Sequence, residues 1–234
     1  MITASMSTIA WREPGLPEAV VSILPQVDRL NVFLQGYIGT PLCLGDPKIR
    51  VLRDTDAPES AALGASAKFH WLWHGIVGDG YHFTVDDDIV YPPDYVERCV
   101  HKIDEHDRRV VVGYHGMIYP PRMVRYFKDR RVWPYDHGCD ADRFVHAIGT
   151  GTASFHTSAL RLTRDDFALP NSCDLYLGIA CQRQRVPMLC LERKTGYLKP
   201  LKSARDKRSV SAPDDYARRM IEIHETWGPW KLYE

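Results

Sequence analysis

The sequence is poor in several features that often betray a function, and each gap removes a class. Its 234 residues contain no apolar run near the roughly 20 needed to span a bilayer, with stretches such as 19–24 and 110–112 falling far short. No transmembrane helix is therefore expected. Residues 1–10 lack the basic region and long apolar segment of a signal peptide, so a cytoplasmic location is the expectation. The 30 basic and 30 acidic residues cancel, leaving no overall charge to attract a nucleic-acid partner. Six cysteines, at 43, 99, 139, 173, 181 and 190, include no C-x-x-C pair and no Cys/His tetrad at structural zinc spacing. Reduced, mostly buried thiols are the expectation. A glycine-rich ATPase loop, a Ser/His/Asp nucleophile motif, internal repeats and low-complexity tracts are also missing.

What remains suits one α/β domain: 44% hydrophobic and 26% charged residues can bury a full core. β-Branched and small residues over 2–10 predict a strand, and Trp11-Arg12-Glu13-Pro14-Gly15 a loop. Pro17-Glu18 and the spacing of Leu16, Ala19, Val20, Ile23 and Leu24 predict a short amphipathic helix ending at Pro25. Further strands are expected at 30–34, 49–52, 81–85, 110–112 and 186–191, the last closing the sheet, and two short ones within 144–155. Helices are expected over 59–73, from Pro92-Pro93 onward, over 173–184, and over 214–227 with a cap at Ser211 or the Asp pair. Residues 113–142 show no single period and read as strand and loop. Strands alternating with helices predict a mostly parallel, Rossmann-like sheet flanked by helices.

The chemistry concentrates where the run Tyr81-His82-Phe83-Thr84-Val85 delivers Asp86-Asp87-Asp88 just before Pro92-Pro93. Ligands gather at the C-terminal ends of such strands. Three adjacent carboxylates repel one another, and a hard cation such as Mg2+ or Mn2+ would compensate them. A solvated acidic turn is the plainer alternative.

This stretch resembles the GT-A glycosyltransferases of the family-2-like group, whose pattern is a glycine, an apolar strand, Asp-x-Asp, an apolar residue and a proline. Gly80 to Pro93 carries that pattern. Leu63-Gly64-Ala65-Ser66-Ala67-Lys68 and Gly75-Ile76-Val77-Gly78-Asp79-Gly80 look like the family's upstream segments, and Gly149-Thr150-Gly151-Thr152 resembles its glycine-containing strand beside the sugar. The resemblance covers about 1–191. It implies a GT-A catalytic domain over 1–192, with 193–234 as a basic lid or linker and a C-terminal helix packed on the same domain.

The resemblance also implies transfer of a sugar from a nucleoside-diphosphate-sugar donor, a UDP-sugar foremost, to a hydroxyl of a glycan or lipid-linked acceptor. Asp86 and Asp88 would hold Mn2+ or Mg2+, with Asp86 also near the donor's ribose or base and Asp87 in support. Lys68, Arg12, Gly149 and Gly151 would adjoin the donor, and Asp174 would be the base of an inverting transfer. Read without the family, Asp174 is first of all an ordinary helix cap beside Asn171-Ser172. Residues 193–208 concentrate positive charge and suit a lid over the diphosphate, a solvated linker, or peripheral contact with the inner face of a membrane.

Two departures stand out. Gln35-Gly36-Tyr37 replaces the aspartate that usually reads the nucleobase, and no histidine occurs between Glu192 and Pro200 to complete a metal shell. A sugar nucleotidyltransferase would share the sheet and the metal, but residues 5–12 lack its glycine-rich loop. A catalytically silent carbohydrate-binding protein of the same fold is the other alternative.

Overall fold

The computed structural model describes residues 1–201 and 216–233. Thirteen strands are present among them: β1 (Ile2–Ile9), β2 (Arg29–Gln35), β3 (Ile49–Arg53), β4 (Tyr81–Asp86), β5 (Ile89–Val90), β6 (Val111–Gly113), β7 (Gly116–Ile118), β8 (Arg131–Trp133), β9 (Arg143–Val145), β10 (Ala147–Ile148), β11 (Ser154–His156), β12 (Met188–Cys190) and β13 (Lys199–Pro200). The helices are α1 (Leu16–Ile23), α2 (Pro58–Ala61), α3 (His70–Trp73), α4 (Tyr95–Glu105), α5 (Tyr126–Asp129), α6 (Cys173–Gln184) and α7 (Tyr216–Trp227).

Eight strands form one sheet in the order β3-β2-β1-β4-β11-β6-β12-β9. Only β11 and β9 run against the rest, which makes this the mainly parallel α/β sheet that the alternation of elements predicts. Alternate side chains leave the strands on opposite faces. On one face Ala4, Met6, Leu30, Val32, Phe83 and Val85 pack with the apolar sides of α1 and α4. On the other, Val111, Phe155 and Met188 pack with α6, while Phe33 meets Trp71.

That second face also carries a polar seam along β1. Ser and Thr alternate with apolar residues there, so the ladder sets Thr3 opposite His82, Ser5 opposite both Asn31 and Thr84, and Ser7 opposite Asp86. Thr3 Oγ1 lies 2.8 Å from His82 Nδ1, Asn31 Nδ2 donates to Ser5 Oγ at 3.3 Å, and Gln35 Nε2 donates to Ser7 Oγ at 2.5 Å. Buried polar groups need such partners. The seam leads up the sheet to Asp86.

Several boundaries differ from the sequence expectation. Residues 59–73 do not form one helix: α2 and α3 are separated by a 3-10 turn, Gly64–Phe69. Gly64 adopts φ +57, and Asn171 Oδ1 accepts a hydrogen bond from the Ala65 N–H at 2.9 Å. This bond from a distant segment and the left-handed residue break a pattern that alanine propensity favours. α4 starts at Tyr95 rather than at the prolines. β12 does not close the sheet, because β9 pairs along its outer edge. Within 113–142 lie β7, α5 and β8, elements of three or four residues that are too short for a period to reveal. α7 packs Met220 and His224 inward beside α5 and α6; the proposed caps Ser211 and Asp214-Asp215 lie outside the described residues. No helix among the described residues is long and apolar enough to cross a membrane.

Two histidines are held neutral inside this fold. Burial lowers the pKa of His82 to about 3, and burial together with the neighbouring His224 lowers that of His146 to about 4. An unfolded chain takes up these protons below pH 6.5 whereas the native chain does not, so stability is complete above that pH and is lost as pH falls toward those values. Each histidine contributes a slope of at most about 1.4 kcal/mol per pH unit. Urea unfolding between pH 7 and pH 4.5 should show this loss, and His82→Gln should remove close to one proton from the slope.

Candidate active site

Asp86 ends the central strand β4, and Asp87 and Asp88 form the turn into β5. Each carboxylate has a cationic neighbour. Lys68 Nζ pairs with Asp86 Oδ1; the lysine side chain is 2% exposed and that of Asp86 is 36% exposed. Arg12 Nη1 reaches Asp87 Oδ1 at 2.5 Å and Asp88 Oδ2 at 2.9 Å. The arginine comes from the 3-10 turn Ala10–Gly15 that follows β1, and the lysine from the turn Gly64–Phe69, so both elements deliver charge to the C-terminal edge of the sheet.

The balance is nonetheless acidic. Three carboxylates face two cations, and the excess appears at Asp88, whose pKa is pushed up to about 6 by burial and by the charge on Asp86, against the pull of Arg12. Burial likewise raises Asp87, opposed chiefly by Arg12. Burial alone would lower the pKa of Lys68, but Asp86 overcomes it and the ammonium is held charged; Asp174 adds to the effect.

Across from the triplet lies the 149–152 loop, fixed from several sides. Tyr91 Oη donates to Gly151 O at 2.7 Å and accepts the Asp86 N–H at 2.7 Å, bridging loop and triplet through one buried hydroxyl. Tyr95 Oη donates to Thr152 O at 3.1 Å, and the Gly149 N–H donates to His115 O at 2.7 Å. Asp174, near the start of α6, does not cap its own helix. Its Oδ1 accepts from both the N–H and the hydroxyl of Thr150, each at 2.8 Å. Gly151 packs directly on Asp86, where a Cβ would collide with the carboxylate, and a Cβ on Gly149 would come within 2.9 Å of the His115 Cβ.

The structure therefore brings Arg12, Lys68, Asp86, Asp87, Asp88, Gly151 and Asp174 into one neighbourhood, with Gly149 turned toward His115. Asp87 and Lys68 are the most enclosed of these, at 3% and 2% side-chain exposure. Two nearby residues escaped the sequence reading. His115 is half-buried, and burial lowers its pKa while Asp174 opposes the shift. Tyr135 is half-buried too, its pKa raised by burial and then by Asp88, Asp136 and Asp86. The only sequence signal was their position in the aperiodic 113–142 region, His115 just past a buried strand.

The basic 193–208 segment divides. Arg193 is buried, its guanidinium donating to the carbonyls of Leu191, Trp133 and Pro134, so its charge serves packing. β13 pairs antiparallel with β5, and the Leu201 N–H donates to Asp88 O at 2.8 Å. Residues 202–208 lie outside the described residues. Tyr37, from the motif that replaces the family aspartate, places its hydroxyl 3.0 Å from Thr8 Oγ1 and is nearly buried.

The close approach of Gly151 to Asp86 gives a direct test. Gly151→Ala should force the Asp86 carboxylate aside and destabilise the fold by about 1–3 kcal/mol, the usual range for overpacking. Chemical denaturation of the variant against the parent measures it.

No family model and no curated protein sequence matches the chain. Among solved structures it is similar to glucosyl-3-phosphoglycerate synthase from Mycobacterium tuberculosis, solved in complex with Mn2+, UDP-glucose and phosphoglyceric acid, at 18% identity and a TM-score of 0.39 over 48% of this chain and 42% of that chain. A mycobacterial protein is similar at 21% identity and a TM-score of 0.37, over 48% of this chain and 39% of that one. An active-site mutant of LgtC matches 97% of this chain and 96% of its own, at 11% identity and a TM-score of 0.48. The chain thus spans less than half the length of the first two structures it matches.

Proposed function

We propose that the chain is a metal-assisted glycosyltransferase of the GT-A type, which moves a sugar from a nucleoside-diphosphate sugar to a hydroxyl of a glycan or lipid-linked acceptor. The observation that carries this reading is the convergence of Asp86 and Asp174 on the 149–152 loop, with Asp88 in the turn that follows Asp86, at the C-terminal edge of a mainly parallel sheet. UDP-sugars are the first donors to try.

The residues present fit a divalent cation. The triplet has one carboxylate more than its cationic partners, and the surplus is felt at Asp88. Oxygen ligands suit Mg2+ or Mn2+. Asp86 and Asp88 would hold the ion, which when bound neutralises charge on the departing diphosphate. Arg12 keeps Asp87 and Asp88 in place, and Lys68 does so for Asp86.

Asp174 is proposed as the base of an inverting transfer. Thr150 fixes Oδ1 with two hydrogen bonds, leaving Oδ2 as the atom to receive the proton. The acceptor oxygen bonds to the anomeric carbon as the bond from that carbon to the diphosphate oxygen breaks. The hydroxyl proton passes to Asp174, and the electron pair leaves with the nucleoside diphosphate. The surrounding domain is proposed to be 1–192, with α7 packed against it.

Screening nucleotide sugars for Mn2+-dependent stabilisation and hydrolysis tests the reading, because a specific ligand raises folded-state stability by mass action. Asp174→Asn is expected to abolish transfer with donor binding nearly intact, measured by product formation and by calorimetry. Weakened donor binding with residual turnover would count against a base. Asp88→Asn should instead remove the metal dependence of donor binding.

A further inference from the structure

Away from the acidic triplet, three potential metal ligands meet around the segment that carries Lys68. Glu59 lies in α2, His70 opens α3, and His74 follows one helical turn later, its N–H donating to His70 O at 3.1 Å. One ligand atom from each lies within 4.8 Å of the other two. The two imidazole rings are 4.3 Å apart between centroids.

The geometry has the asymmetry of a built site. His70 is buried and held, with Nδ1 2.8 Å from the buried Ser60 Oγ and its ring against those of Phe33 and Trp71 at 6.0 and 5.6 Å. With Nδ1–H donating to Ser60, the lone pair on Nε2 is left for a ligand role, the outer-sphere arrangement common to metal-binding histidines. Glu59 and His74 are exposed and can adjust. Zinc bonds of about 2.0–2.2 Å place tetrahedral ligands roughly 3.3 Å apart. Rotation of the two exposed side chains closes that difference while His70 stays where it is.

We propose that Glu59, His70 and His74 form a second metal site, selective for Zn2+ and similar borderline ions and with its fourth position open to water. Imidazole ligands set this preference apart from that of the oxygen-only triplet. No four-ligand pattern marks it in the sequence. The ion would join α2 to α3 and so close a coordinated loop around the turn Gly64–Phe69, which contains Lys68. The site stands independently of the proposed glycosyl transfer.

Calorimetric titration of the whole chain with Zn2+, in excess Mg2+, tests the proposal. The parent and Asp88→Asn should bind one Zn2+ with similar affinity and gain thermal stability. His74→Ala should weaken binding by at least about tenfold, since loss of even an outer-sphere partner costs that much. Glu59→Gln makes the same comparison should far-UV circular dichroism show His74→Ala to be misfolded. Absence of Zn2+ binding by the parent, equal affinity in the folded ligand variants, or loss of binding in Asp88→Asn alone would overturn it.

Discussion

An ammonium group with almost no access to water anchors this molecule. Lys68 is enclosed by the sheet and by its own turn, and its direct ionic partner is Asp86 at the more open end of β4. Burying such a charge is tolerable only with a close counter-charge in good geometry. The pair therefore fixes two things together: where the turn Gly64–Phe69 sits on the sheet, and which way the first aspartate of the triplet faces. Gly151 then has to lack a side chain, since Asp86 occupies the space that a Cβ would need.

From that pair the order spreads in two directions. Down the sheet, the Ser and Thr residues of β1 partner Asn31, Gln35 and His82, so that a parallel sheet otherwise filled with Val, Leu and Phe carries a hydrogen-bonded stripe. Across the edge, Tyr91 joins the backbone of Asp86 to that of Gly151, and Thr150 passes the connection to Asp174. Both routes use buried groups with specific partners, which is how a packed core becomes a positioned site.

The sequence revealed the parts of this arrangement that rest on repetition. Apolar runs at 30–34, 81–85 and 110–112 marked the strands, and the spacing of Leu16, Ala19, Val20 and Ile23 marked α1, because burial on a regular element leaves a periodic trace. Asp86-Asp87-Asp88 was legible as a charge cluster at a strand end. What did not show were contacts between distant segments. Asn171 interrupts the expected 59–73 helix from more than a hundred residues away, and His115 reaches the Asp174 neighbourhood from a region of very short strands. The helix-cap alternative for Asp174 was reasonable from Asn171-Ser172, but Thr150 on another segment takes the carboxylate instead. Arg193 belonged, by composition, to a basic tract suited to a lid, a linker or membrane contact; its hydrogen bonds to three carbonyls place it in the interior.

The short ribbon of β5 and β13 has a mechanical meaning. Asp88 uses its side chain toward Arg12 and its carbonyl toward the Leu201 N–H, so one residue is both an electrostatic partner and a backbone hinge pin. That hydrogen bond ties the turn to Leu201 through the backbone alone. The backbone of the acidic turn and the end of the ribbon are thereby held to each other.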